Sequence, residues 1–248
     1  MKVNIKCLSG NILKILAAIF MVIDHAGILF FPREIIFRII GRLALPIFAF
    51  MIAEGARYTR NKVRYILMIG GLAFLCQLGY YIFAKDLYMC ILVTFTLAIA
   101  MIYALGFFKK CLFSDKVGIA GKIFSVLPFI ATVILVYFLN TKLQIDYGFY
   151  GCMLPVFASL FDFRGIDLPK KAEWLDSVYL RIGALAVGLI LLSLNYGNIL
   201  WYSLLAIPLL LLYSEKRGKV NLKYFFYIFY PVHLVVLEGI YMLLRYSK

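Results

Sequence analysis

Long apolar runs, each ended by a short cluster of charged or turn-forming residues, succeed one another along almost the whole chain. The runs are continuous rather than alternating, which excludes a membrane β-barrel. Several approach the roughly 20 residues that a helix needs to cross a bilayer core. The pattern predicts an all-α, polytopic membrane protein with about nine spans near 10–31, 35–56, 63–84, 87–108, 122–140, 147–163, 178–195, 198–214 and 221–244. The sixth is short and contains Pro155, so it is expected to be broken or tilted. Pro46 lies inside the second and is expected to kink it, since proline removes a helical hydrogen bond that membrane helices can forgo where neighbours compensate. Neither a soluble domain nor a tandem repeat interrupts the series, so residues 1–248 are read as a single transmembrane domain.

The basic residues orient this array. With the N-terminus inside, the inner connections hold Lys2 and Lys6, then Arg57, Arg60, Lys62 and Arg64, then Lys109, Lys110, Lys116 and Lys122. Arg164, Lys170, Lys171 and Arg181 follow, and then Lys216, Arg217, Lys219 and Lys223. The outer connections hold only Arg33, Arg38, Lys85, Lys142, Arg245 and Lys248. The positive-inside rule with an odd number of spans therefore predicts a cytoplasmic N-terminus and an outer C-terminus.

Composition agrees. The chain is 65% hydrophobic and 15% charged, with a mean hydropathy of +0.95, whereas soluble domains are about 45–50% apolar and about 25% charged. The first apolar run is too long for a removable signal peptide and lacks a small-residue cleavage site. The net charge of +14 is read as topology and contact with anionic membrane lipid rather than nucleic acid. The five cysteines are scattered without a CxxC, and indicate neither a disulfide framework nor a metal site.

Against this background the charges inside the first two spans stand out: Lys14, Asp24, His25, Arg42 and Glu54. Each costs about 2.5–3.5 kcal/mol at mid-membrane on insertion scales, so such residues face a protein interior or a watery cavity. Eleven steps of about 100° return Lys14 and His25 to nearly one helix face, about 16 Å apart. His25 can serve as a general base near neutral pH, or as a packing histidine bonded to a backbone carbonyl. Asp24 sits about 100° round the helix from His25 and pairs better with Arg42 or Arg38. An orienting carboxylate for His25 would then come from Glu238 or Asp146. RYTRNKVR (57–64) places Arg57, Arg60 and Arg64 where bidentate phosphate contacts are possible, although topology alone also puts cations there. DYGFYG (146–151), with Asp146 and Tyr147, reads as an outer turn that lines an acceptor entrance or supplies interfacial aromatics. His233 follows Pro231 in the last span as a second base or a packing residue. No GxSxG, P-loop, HExxH or dinucleotide fingerprint is present.

Together IDHAG (23–27), GRLALPIFAFMIAEG (41–55) with TRN (59–61), FTLAIA (95–100), DYGFYG (146–151) and KYFFYIFYPVHL (223–234) resemble the TraX family, membrane proteins named after the F-pilin acetylase. That family looks like a relative of the acyltransferase-three membrane enzymes. These carry a basic residue ten residues before a histidine in the first helix and an RxxR near the cytoplasmic face. Lys14-x10-His25 and Arg57-Tyr58-Thr59-Arg60 fit both patterns. The resemblance implies a bacterial cytoplasmic-membrane enzyme that moves acetyl from cytosolic acetyl-CoA, without a metal, to a peptide, pilin-like or glycan acceptor. Arg57, Arg60, Arg64 and Lys14 would hold the nucleotide phosphates, and the pantetheine arm would run along helix 1. His25 would act as base or transient nucleophile, with Asp24 and Glu54 in the site and Arg42 on the oxyanion. A small-molecule transporter or flippase, or a non-catalytic pilus assembly factor, would share many of these features.

Overall fold

The computed structural model describes residues 6–85, 88–220 and 222–246. Lys2 and Lys248, two of the cations used to orient the chain, lie outside them, as does the Lys223 side chain. Among the described residues the structure is helical, with two isolated β-bridges, Leu8 to Tyr213 and Met89 to Ile145. The helices are α1 (Gly10–Phe30), α2 (Ile35–Gly41), α3 (Ala44–Tyr58), α4 (Lys62–Ala84), α5 (Ile91–Leu112), α6 (Ile119–Phe124), α7 (Leu127–Lys142), α8 (Gly148–Ser159), α9 (Val178–Tyr196), α10 (Ile207–Leu211) and α11 (Lys223–Tyr246). Two 3-10 helices, Lys170–Leu175 and Asn198–Ala206, join them.

Seven helical stretches among the described residues, not nine, are long and apolar enough to cross a membrane: 10–30, 35–58, 62–82, 91–112, 119–142, 178–196 and 224–245. They make the chain an integral membrane protein. The two expected spans that fall short are 147–163 and 198–214. The first becomes α8, whose 12 residues reach only about 18 Å of a core about 30 Å thick. It starts abruptly because Tyr147 and Gly148 both take positive φ, at 57° and 56°. The second opens as a 3-10 helix after Gly197, whose φ of 107° breaks from α9. Apolarity by itself does not separate these shorter helices from ones long enough to cross.

The second span is also corrected. It breaks at Arg42–Leu43 between α2 and α3, rather than kinking at Pro46. Pro46 is the third residue of α3, in the first turn, where a missing N–H leaves no hydrogen bond unmade.

The chain packs as two compact units: Met1–Met51 with Ser193–Lys248, and Ile52–Leu192. In the first, α1 packs on α2 and α11. The N-terminus of α1 is closed from outside the helix. Ser9 caps it, and Gly10 and Asn11 donate their backbone N–H groups to the carbonyls of Lys216 and Arg217 at 2.8 and 3.0 Å. Two of the N–H groups that any helix start leaves orphaned are thus satisfied. Gly27 lets α2 approach, since a Cβ there would overlap Phe37.

In the second unit α5 is the hub, packed against α4, α7 and α8. Its inward stripe, Phe95, Ala98, Ile99, Met101, Ile102 and Leu105, recurs at helical spacing and is buried. Lys109 continues that stripe and is buried too, so a cation enters the interior at the end of α5.

Candidate functional site

In the first unit, the paired histidines of α1 and α11 form the centre. His25 Nδ1 lies 2.8 Å from the Met21 carbonyl oxygen, and His233 Nδ1 lies 3.0 Å from that of Phe229. A carbonyl oxygen only accepts, so in each neutral ring Nδ1 carries the proton and Nε2 keeps its lone pair. The two rings meet edge to face with centroids 5.2 Å apart and planes at 64°. His233 is buried, stacks on Phe229 at 5.0 Å, and its Nε2 is buried with no hydrogen-bond partner. An unmade buried acceptor costs about 1–3 kcal/mol. Two bases with identical tautomers, one of them buried without a partner at Nε2, are an arrangement that packing does not require.

Next to them stands Asp24, on the same turn as His25. Arg42 donates through Nη2 to both carboxylate oxygens, at 2.9 and 2.8 Å, and Arg38 donates through Nη1 to Oδ2 at 2.9 Å. The Asp24 and Arg42 side chains are 12% and 7% exposed, whereas Arg38 is 33% exposed. Two guanidiniums on one carboxylate leave a net positive charge beside the imidazoles. Gly41 makes room for this: a Cβ at that position would collide with the Asp24 carboxylate. Lys14 also faces α11, with Nζ 5.7 Å from the Phe226 ring centre, so α1 meets α11 with both Lys14 and His25.

The expected carboxylate orienter of His25 is replaced by the Met21 carbonyl. Glu238 is exposed on α11. Asp146 belongs to the second unit, where its Oδ1 accepts from the Tyr88 hydroxyl at 2.6 Å and its carbonyl from Thr94 Oγ1 at 2.8 Å. Burial and the adjacent Asp146 carboxylate push the Tyr88 hydroxyl pKa well up, so it stays a donor. Tyr147 is the residue before α8, in the left-handed conformation, and its side chain makes no capping hydrogen bond. The DYGFYG turn thus ties α8 to the start of α5.

The second unit holds a second charged cluster. Glu54 and Arg181 form an ion pair with side chains 6% and 2% exposed. Arg57 donates to Asp162 at 2.7 Å and to both oxygens of Asp176 at 2.8 and 3.2 Å. Lys109 donates to the carbonyls of Ser159 and Asp162 at 2.6 and 3.0 Å. Burial by itself would raise the Asp176 pKa, but the Arg57 hydrogen bond and the Phe163 N–H outweigh it and hold it below its ordinary value. Two arginines therefore pair with three carboxylates, and Lys109 joins the cluster through backbone carbonyls. Arg60 and Arg64 flank this cluster in sequence and are exposed. No group of His, Cys, Asp or Glu among the described residues is placed to hold a metal ion.

Sequence reasoning missed Asp162, Asp176 and Lys109 as partners and counted Arg181 only as a topology charge. The available signal was a carboxylate at each end of the loop from FDFRG to LDSVYLR, too diffuse to pair without the fold.

An integral membrane helical protein with an inward-facing histidine pair and a buried carboxylate–arginine cluster is the class that these features define. The chain belongs to the TraX family: the family model described as TraX protein matches residues 9–241. It is 25% identical over 267 aligned positions, 94% of this chain and 96% of the relative, to a protein of Dichelobacter nodosus titled "Probable fimbrial assembly protein FimC, serogroup H1". An uncharacterized protein of Rickettsia prowazekii (strain Madrid E) is 44% identical over 57 residues, 23% of each chain. No solved structure matches.

Proposed function

We propose that this protein is a membrane acetyltransferase of a pilus- or surface-assembly system, transferring acetyl from acetyl-CoA to an amine or hydroxyl. The observation that carries it is the His25–His233 pair, with the Nε2 of His233 buried and unpartnered. In this reading His25 Nε2 removes the proton from the acceptor as that atom bonds to the acyl carbon. The carbon–sulfur bond then breaks, and the proton passes from the imidazolium to the departing thiolate. His233 accepts or returns a proton across the ring contact. The Arg42–Asp24–Arg38 cluster keeps a positive field beside the developing oxyanion, with Arg42 held rigid by both carboxylate oxygens.

The donor's phosphates fall to the exposed Arg60 and Arg64. Arg57 is already neutralised by Asp162 and Asp176, and the residues present fit phosphate binding better without it. Glu54 and Arg57 are then structural, and Lys14 supplies a cation at the start of α1. Acyl transfer of this type needs no metal. The name of the Dichelobacter relative favours an acceptor belonging to a fimbrial system.

The test is acetyl-CoA turnover by purified protein in nanodiscs, wild type against His25→Ala. The reading expects turnover in the wild type and a loss of at least about 100-fold in the folded variant. Equal rates would remove His25 from the chemistry. No binding of acetyl-CoA by either form would leave transport or non-catalytic assembly as the function.

A further inference from the structure

Beside the Arg57 cluster stand basic residues with no carboxylate of their own. Among the described residues, none of Arg60, Lys62, Arg64, Lys110 and Arg164 forms a salt bridge. The acids of the cluster are already engaged. Asp162 accepts from Arg57 at 2.7 Å and from the Arg164 backbone N–H at 3.2 Å, and Asp176 accepts from Arg57 through both oxygens. Lys62, which opens α4, lies within electrostatic reach of Asp162 and of Lys110 in the last turn of α5. Two cations so placed repel each other, and the positive end of the α4 dipole adds to the excess. An anion between them relieves it.

Membrane topology accounts for cations at this end of the helices but not for their poses. Arg164 folds back so that its guanidinium carbon lies 4.0 Å from the Tyr58 ring centre. Tyr58 is 44% exposed, and Arg164 is exposed as well. A guanidinium laid on an exposed tyrosine makes a flat, cationic surface of the kind on which nucleobases stack. Lys62 is likewise folded against a ring, with Nζ 5.1 Å from the Tyr103 centre. The lysine pair and the stacked surface share Asp162 as neighbour, which Arg164 reaches through its backbone and Lys62 through its field. Cations alone suffice to hold a phosphate. A lipid headgroup meets that demand but brings no planar ring. A purine nucleotide with phosphates at both ends of its ribose meets both.

Resting on the acetyltransferase reading, we propose that this corner binds the adenosine end of acetyl-CoA. Lys62 and Lys110 hold the 3′-phosphate, the adenine stacks on the Arg164–Tyr58 surface, and the diphosphate falls to Arg60 and Arg64. The 3′-phosphate thereby becomes a mark of selection. It separates the intact donor from dephosphorylated or shortened pantetheine thioesters that carry the same acetyl group.

The experiment titrates the full chain in phosphatidylcholine nanodiscs with acetyl-CoA, its 3′-dephospho form and adenosine 3′,5′-bisphosphate. Wild type should bind acetyl-CoA at least about tenfold more tightly than the dephospho form. Lys62→Gln with Lys110→Gln should abolish that preference by weakening acetyl-CoA alone, whereas Arg164→Gln should weaken both forms about tenfold. A second arm needs no variant: 8-azidoadenosine 3′,5′-bisphosphate is photolysed on the wild type, and mass spectrometry should find the label on Tyr58 and residues 162–166. Acetyl-CoA bound without this preference, or a label elsewhere, would overturn the site while leaving the acetyltransferase intact. Adenosine bisphosphate bound and labelled here without any acetyl turnover would keep the site and remove the enzyme. No preference, together with phosphatidylglycerol retained through purification by wild type but not by the double lysine variant, would assign the cations to lipid headgroups instead.

Discussion

His25 and His233 come from the first and last helices and face each other with ring centres 5.2 Å apart, each with Nδ1 on the carbonyl four residues back. The two rings share one tautomer and are adjacent, so they should act as one unit. On the proposed acetyltransferase reading, His25→Gln and His233→Gln are each expected to lower single-turnover acetyl transfer by at least about 100-fold. The double variant should be no worse than the poorer single one, because effects within a catalytic unit are not additive. A multiplicative double loss would assign the rings to separate steps.

Gly41 and Asp24 make a second testable pair. Gly41→Ala places a methyl where the Asp24 carboxylate sits, and Asp24→Asn removes the anion that Arg42 and Arg38 share. Each should cost about 3–5 kcal/mol, the usual penalty for breaking a buried pair from one side. Denaturation of the detergent-solubilised protein will show this. Gly41→Ala with wild-type stability would mean that Asp24 does not pack there.

The Glu54–Arg181 pair should behave as a structural element. Glu54→Gln removes the carboxylate paired with the buried Arg181 guanidinium and is expected to destabilise by about 3–5 kcal/mol. Glu54→Leu combined with Arg181→Met removes both charges and should recover most of that loss. If the double variant is as unstable as the single one, the pair does more than neutralise charge.

Arg57 and its neighbours should separate by phenotype. On the proposed reading, Arg60→Ala with Arg64→Ala should raise the KM for acetyl-CoA while leaving the melting temperature within a few degrees. Arg57→Ala should lower the melting temperature, because it strands Asp162 and Asp176. Isothermal titration alongside thermal melts distinguishes the two, and the reverse pattern would return Arg57 to the phosphate site.

Acid should open the same cluster. The Asp176 carboxyl is held below its ordinary value of 3.8, chiefly by the Arg57 hydrogen bond against the opposing effect of burial. A depressed folded pKa stabilises the fold fully above the unfolded value, and that stability is lost as pH falls below 3.8 through the lower folded value. Hydrogen exchange at the loop 160–177 should rise in that window. In Asp176→Asn the acid-dependent rise should disappear.

Much of this protein was readable from its residues, though unevenly. Helix 1, Gly10–Phe30, lies within a residue of the expected 10–31, because a long, predominantly apolar run has few alternatives. Asp24 was directed to Arg38 or Arg42 by helical phase alone, and both arginines reach it. The expected spans 147–163 and 198–214 are apolar enough, but the helices there, Gly148–Ser159 and Asn198–Leu211, are shorter than the other apolar helices. Pro46 was assigned a kink because its distance from the helix start depends on the Arg42–Leu43 break, which no local residue announces.

By itself the sequence determined the all-α membrane character, most of the spans and the candidate chemistry on α1, because these follow from run length, hydropathy and helical period. Only the tertiary structure decided that His25 meets His233, that Arg57 is neutralised by Asp162 and Asp176, and that Glu54 pairs with Arg181. Those partners come from distant parts of the chain. Their contact depends on how helices pack and rotate, which a local pattern of apolar residues on nearly every face leaves undetermined.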